Sequence, residues 1–212
     1  MLEHVYHRVP VTALAFYGDH VLLAGEGNLL QAYDIKFGAK LGSLQIFEDQ
    51  SIHGILLAED LRCGLAWGGS LLRKLRFNAE DQIDAGPCLQ ATDWILDAAL
   101  CDENGAVAVV TAHNALSIMN LGSTGHDVVD SVVPGSNCIL YSAHVTWQSP
   151  SQCLVASGTA FGDIIVWSAS ILKPENGQFS AQAQTHYTFS AHEGSIFGVR
   201  LSTQEQARQL GD

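Results

Sequence analysis

The run Leu154-Val-Ala-Ser-Gly-Thr-Ala-Phe-Gly-Asp-Ile-Ile-Val-Trp167 decides the fold. An apolar stretch reaches a small residue, Ser157; Gly162-Asp163 makes a turn; a second apolar stretch closes on Trp167. About 25 residues further on, Ala191-His-Glu-Gly-Ser-Ile-Phe-Gly-Val199 places a His-containing turn before another apolar stretch. Strand, Gly-Asp turn, strand ending on Trp, then a His turn is the order expected of one propeller blade, a four-stranded sheet repeated about a channel. A fold of that kind is by default a binding platform, and catalysis, if any, is expected to belong to a partner.

Working outward, the same rhythm recurs. The first segment reads Val11-Thr-Ala-Leu-Ala-Phe16, His20-Val-Leu-Leu-Ala-Gly25, Asn28-Leu-Leu-Gln-Ala-Tyr-Asp34 and Leu41-Gly-Ser-Leu-Gln-Ile-Phe47. The second reads Ile52–Leu57, Cys63–Trp67 and Ser70–Phe77; the third Trp94–Leu100, Ala106–Thr111 and Ala115–Asn120; the fourth Ile139–Thr146, Cys153–Ser157 and Ile164–Trp167. The third-strand ends Tyr33, Arg76, Met119 and Trp167 are spaced by about 43 to 48 residues, near the period of a blade. Each run is rich in β-branched residues and bounded by Gly, Asn or Asp, as strands are. The best helical candidate, Ser202–Leu210, falls where the repeat calls for a strand or a frayed end. The chain is therefore expected to be all-β: a partial WD-repeat β-propeller of about four four-stranded blades (9–48, 50–78, 92–133 and 137–189) plus the first strand of a fifth (190–212). Four blades and one strand do not close a seven-bladed ring, so an incomplete amino-terminal propeller is expected, with a closed four-bladed ring as the alternative.

The composition agrees. The 212 residues are 47% hydrophobic and only 15% charged, which excludes a disordered chain. Twenty Gly against five Pro suit short strands joined by tight turns. A net charge of −12 opposes strong non-specific nucleic-acid binding. The five cysteines form no C-x-x-C pair and read as reduced thiols in a cytoplasmic protein. No apolar run is long enough to span a membrane, and neither a signal peptide, a metal nor a cofactor is expected.

Several landmarks in order carry a closer resemblance: Val11-Thr-Ala-Leu14, Val21-Leu-Leu-Ala-Gly-Glu-Gly27, Ile52-His-Gly54, Asp93-Trp-Ile-Leu-Asp97, His113-Asn114, Ser157 to Trp167 and His192-Glu-Gly-Ser-Ile-Phe197. In this order they resemble the amino-terminal part of the non-catalytic WD-repeat subunit of the tRNA wobble-position (nucleotide 34) 2′-O-ribose methyltransferase. The resemblance implies a protein of several propellers that partners a separate S-adenosylmethionine-dependent catalytic subunit and helps it recognise tRNA. It implies no methyl-donor site in this chain. The alternative function is a general WD-repeat scaffold in trafficking or signalling.

Candidate residues follow from both readings. Ser157, Asp163, Trp167 and His192 resemble the polar residues that knit WD blades. Their Ser hydroxyl, Asp carboxylate and Trp N–H can link strands to turns. No nucleophile elbow or oxyanion loop accompanies them, so they form no Ser-His-Asp triad. In the usual pattern a His precedes its blade's Ser, Asp and Trp, but the turn before the fourth blade offers only Pro134-Gly135. Gly25-Glu-Gly27 lacks the third glycine and the helix of a dinucleotide site and reads as a β-turn. His4 and His7 lack a third metal ligand. Trp94 and Asp97 are candidates for a partner-binding face, or else a core aromatic and a turn cap. Arg73, Lys74 and Arg76 are candidate tRNA phosphate contacts, with a solvated outer strand as the competing reading.

Overall fold

A computed structural model describes residues 9–58, 62–78, 82–101, 105–120, 128–134, 138–172 and 180–202. His4, His7, Gly135 and residues 203–210 of the helical candidate lie outside these. The chain forms two compact units, Met1–Thr92 and Asp93–Asp212. Among the described residues there is no helix, and so none long and apolar enough to cross a membrane.

Each unit holds two four-stranded antiparallel sheets, each a meander in chain order. In the first unit they are β1 (Val11–Tyr17), β2 (Val21–Glu26), β3 (Leu29–Asp34) and β4 (Lys40–Gln45), then β5 (Gly54–Ala58), β6 (Cys63–Gly68), β7 (Leu71–Phe77) and β8 (Ile83–Gln90). The second unit has β9 (Ile95–Leu100), β10 (Ala106–Thr111), β11 (Leu116–Asn120) and β12 (Val128–Val132), followed by β13 (Leu140–Ser149), β14 (Gln152–Thr159), β15 (Asp163–Leu172) and β16 (Ser180–Ser190). Side chains alternate across a strand, so a strand covered on both faces must be apolar on both. Cys63-Gly-Leu-Ala-Trp-Gly68 is buried at all six positions, and Val107–Thr111 at all five.

The turn between the second and third strands carries one left-handed residue in every sheet: Gly27 (φ 59°), Gly69 (φ 56°), Asn114 (φ 59°) and Gly162 (φ 92°). Gly and Asn tolerate that conformation best, which explains the Gly and Asn punctuation of the repeat. Within the first unit, Leu23, Leu30, Ile52, Leu75 and Phe77 join the two sheets in one core. Val110, Leu116, Val145, Val155, Ile165 and Trp167 do the same in the second.

The structure departs from the sequence expectation in two places. The second sheet does not end at residue 78: its fourth strand is Ile83-Asp-Ala-Gly-Pro-Cys-Leu-Gln90. Gly86 and Pro87 hide it from a propensity reading. They are tolerated because β8 is an edge strand and the register shifts there, with Arg73 opposite Cys88 and Leu75 opposite Ala85. The other departure concerns residues 195–201, expected as a leading strand, which join no ladder among the described residues. A strand needs a neighbouring backbone. Here Ile196 N–H donates to the Thr159 carbonyl (3.0 Å) and its own carbonyl accepts from Ser142 Oγ (2.7 Å).

Gly54 faces Trp67 across β5 and β6, and a methyl group at Gly54 would overlap the indole ring. Gly54→Ala is expected to lower stability by about 1–3 kcal/mol through overpacking, read as a lower urea midpoint. An unchanged midpoint would show that Trp67 repacks freely.

Candidate functional site

The polar residues of the second unit gather where its turns meet. Trp167, fully buried on β15, donates from Nε1 to Ser157 Oγ (3.1 Å). Ser157 donates in turn to Asn114 Oδ1 of the β10–β11 turn (2.7 Å), and Asn114 Nδ2 reaches Cys138 Sγ (3.7 Å). This chain of bonds runs between the two sheets, and Ser157 and Asn114 are both 0% exposed. Asn114 thus accepts the Ser157 hydroxyl from the β10–β11 turn of the neighbouring sheet, not from the turn before the fourth sheet where the sequence pattern expects a His. The sequence signal for it was the landmark His113-Asn114, whose role only the fold reveals.

Asp163 and His192 do not join them. The Asp163 amide donates to Thr159 Oγ1 (2.9 Å). The His192 amide donates to the Gly162 carbonyl (3.1 Å), and its Nδ1 accepts from Gly194 N–H (2.9 Å). The expected four-residue set is therefore split. Ser157 and Trp167 meet in the core, whereas Asp163 and His192 shape the β14–β15 turn and the segment after β16.

Above this network the turns are tied edge to edge. Ala112 N–H donates to the Trp94 carbonyl (2.8 Å), Leu140 N–H to the Ala112 carbonyl (2.8 Å), and Ala160 N–H to the Ile139 carbonyl (2.9 Å). The rim so formed displays Trp94, Ile139 and Phe161, which are 47%, 51% and 74% exposed. Beside Trp94, His113 Nδ1 donates to Asp93 Oδ2 (2.7 Å), and the His113 amide adds a bond of 3.2 Å. Partial burial works to raise the Asp93 pKa, but the His113 bond, the Trp94 and His113 amides and the His113 charge outweigh it and hold Asp93 below its ordinary value.

Asp97 lies apart from Trp94 in character. It is partly buried on β9, and its carboxylate accepts from Val145 N–H of β13 (2.9 Å), binding the first strands of the two sheets. Trp147 Nε1 adds a bond to the Ala99 carbonyl (3.0 Å). Burial pushes the Asp97 pKa up to about 6, against the pull of the Val145 and Ala98 amides and the Arg200 charge.

Arg73, Lys74 and Arg76 do not lie on an outer strand. β7 is paired on both sides, and the outer strand is β8. Arg73 alternates with Lys74 and Arg76 across the sheet, its Nε buried without a hydrogen-bond partner. Arg76 is exposed but stands opposite Asp84 in the register. No three His, Cys, Asp or Glu side chains cluster as metal ligands among the described residues.

Fold and site together define a WD-repeat propeller portion with a buried polar seam and an aromatic rim. Solved structures agree: the chain is similar to the RRP9 WD40 repeats (TM-score 0.61, 14% identity) and to U3-55K (TM-score 0.60, 14% identity). Each alignment covers 90% of this chain and 54% of the other. The chain also resembles the tRNA (34-2′-O)-methyltransferase regulator WDR6 of Rattus norvegicus, at 25% identity over 216 aligned residues. That alignment covers 90% of this chain and 18% of the rat protein, so the chain spans less than a fifth of that relative. No family model matches.

Two outcomes follow from the buried groups. Ser157→Ala leaves the Trp167 N–H and Asn114 Oδ1 unpaired in the core and should cost about 1–3 kcal/mol, with a non-additive Ser157→Ala/Asn114→Ala cycle in urea unfolding. Additive losses would mean that the two do not act through one bond. Asp97 is an acid whose pKa is raised on folding, from 3.8 to about 6. The folded state therefore binds its proton more tightly, and stability gains from this group as pH falls through 6 towards 4. Asp97→Asn should be the more stable protein at neutral pH by on the order of 2 kcal/mol, and the difference should vanish below about pH 4. A pH-independent difference would contradict a partly buried, charged Asp97.

Proposed function

We propose that this chain is part of a non-catalytic WD-repeat scaffold that regulates 2′-O-ribose methylation of tRNA at the wobble nucleotide by holding a separate methyltransferase catalytic subunit. The observation that supports it is the collinear resemblance to the tRNA (34-2′-O)-methyltransferase regulator across 90% of the chain. The chemistry of the site fits a scaffold. The second unit's Ser, Asn and Trp hydroxyl, amide and indole groups are spent on one another in the core, leaving no exposed nucleophile–base pair among them. In the first unit, a cavity of about 510 Å³ between the two sheets is lined mainly by apolar side chains such as Leu23, Leu30 and Phe77. His20 and Asp34 are its only titratable groups besides Tyr17, which fits no catalytic set.

In this reading the partner docks on the rim through Trp94, with Ile139 and Phe161 beside it, because exposed aromatics on rigid turns are the usual anchors of interfaces. Asp97 plays no docking role; it joins strands. tRNA is not held by Arg73, Lys74 and Arg76, which are divided between the two faces of the sheet. Contact with tRNA belongs to the catalytic subunit or to other parts of the assembly. Five free thiols accord with a reducing, cytoplasmic setting. A scaffold for trafficking or signalling is the competing reading, and no observation favours it.

The test is mass spectrometry of ribose methylation at nucleotide 34 in cells lacking the gene. Loss of the 2′-O-methyl group on deletion, restored by the gene, is the expected result; unchanged methylation overturns the proposal. Trp94→Ala should weaken binding to the catalytic subunit by about tenfold or more in calorimetry, without altering the urea midpoint.

A further inference from the structure

The first strands of the second unit are joined by a repeated device. On β9, the Asp97 carboxylate accepts the Val145 N–H of β13. One sheet further along the chain, His144 of β13 does the same, its Nδ1 accepting the Leu201 N–H (3.1 Å). In each case a side chain on a first strand captures a main-chain N–H of the segment that follows. The two acceptors differ in one respect: a carboxylate gains its proton on oxygen and keeps lone pairs, whereas an imidazole protonated at Nδ1 has no acceptor left there.

The second capture secures a segment that joins no ladder among the described residues. Besides Leu201, residues 195–201 are held by Ile196 N–H on the Thr159 carbonyl, Ser142 Oγ on the Ile196 carbonyl, Ser195 Oγ on the Ala160 carbonyl (2.9 Å) and a tilted contact of Tyr141 with Phe197 (5.4 Å). Phe197 is itself 79% exposed. Segments held by a few isolated bonds and little buried apolar surface are those that open first.

We propose that residues 195–201 form a proton-sensitive latch, docked on β13 while the His144 ring is neutral and released when the ring takes up a proton. Protonation at Nδ1 removes the acceptor for Leu201 and places a positive ring close to the Arg200 guanidinium. The charged group facing His144 is Arg200 on the segment, which Asp97 on β9 attracts in turn; its ladder partner on β14 is Ala156, which is uncharged. Burial and the Arg200 charge both lower the His144 pKa in the docked state. Release relieves both, so the proton binds the undocked form more tightly and acid favours undocking. Neutralising Asp97 in the same acid range weakens its attraction for Arg200 and works in the same direction.

Amide hydrogen exchange of the whole chain, corrected for intrinsic rates, tests the latch at about pH 7.5 and about pH 5. Protection of Ile196 and Leu201 should fall at least about tenfold in acid, while β10 and β14 stay protected. His144→Asn supplies an oxygen acceptor that does not titrate, and it should keep the segment protected at both pH values. Unchanged protection in the wild-type chain overturns the proposal. Equal acid loss in His144→Asn overturns it as well, since Asp97 or another group would then be responsible. On the wild-type protein alone, the His144 ring signal and the Leu201 amide signal should titrate with one midpoint; separate midpoints sink the coupling whether or not the variant folds.

Discussion

A four-stranded antiparallel sheet of this size has two apolar faces and cannot cover either by itself. Everything else in the molecule answers that constraint. Leu23 and Leu30 of the first sheet are fully buried only because Leu75 and Phe77 of the second pack against them. Val155, Ile165 and Trp167 of the fourth sheet likewise need Val110 and Leu116 of the third. Hydrophobic burial of this kind is strong but undirected. It brings sheets together without saying which residue of one faces which residue of the other.

Direction comes from polar groups placed where burial would otherwise penalise them. An indole N–H as deep as that of Trp167 must find an acceptor, and Ser157 supplies it only if the Asn114 turn of the neighbouring sheet is in place. Asp97 and His144 impose the same condition on the first strands, each reaching across to a main-chain N–H. The turns so aligned form a continuous rim. Trp94, Ile139 and Phe161 are exposed on it because the backbone bonds beneath them are already satisfied. An apolar rim suits a protein partner better than a phosphate backbone, and the net charge of −12 points the same way.

Much of the architecture was legible from local pattern. Strand after strand was an apolar run bounded by the Gly or Asn punctuation, since hairpin turns place strict demands on φ. The second sheet's last strand was not legible, because Gly86 and Pro87 look like breakers until the edge position and the register shift are known. The site was half legible. Ser157 and Trp167 share a sheet and a short separation, so their pairing follows from strand geometry. Asn114 is 43 residues from Ser157, and no local rule links an Asn in one hairpin to a Ser in the next sheet.

The amino-acid sequence by itself determined the strand order, the turn chemistry and the apolar faces, because these depend on neighbours a few residues apart. Tertiary structure alone decided which polar side chains became partners and which remained on the surface. Trp94 and Asp97 illustrate the division. They lie three residues apart in one motif, yet the first stands exposed on the rim and the second is drawn towards the Val145 amide of the next sheet. The physical reason is that a hydrogen bond across sheets depends on a distance that packing sets, and packing is a property of the whole unit.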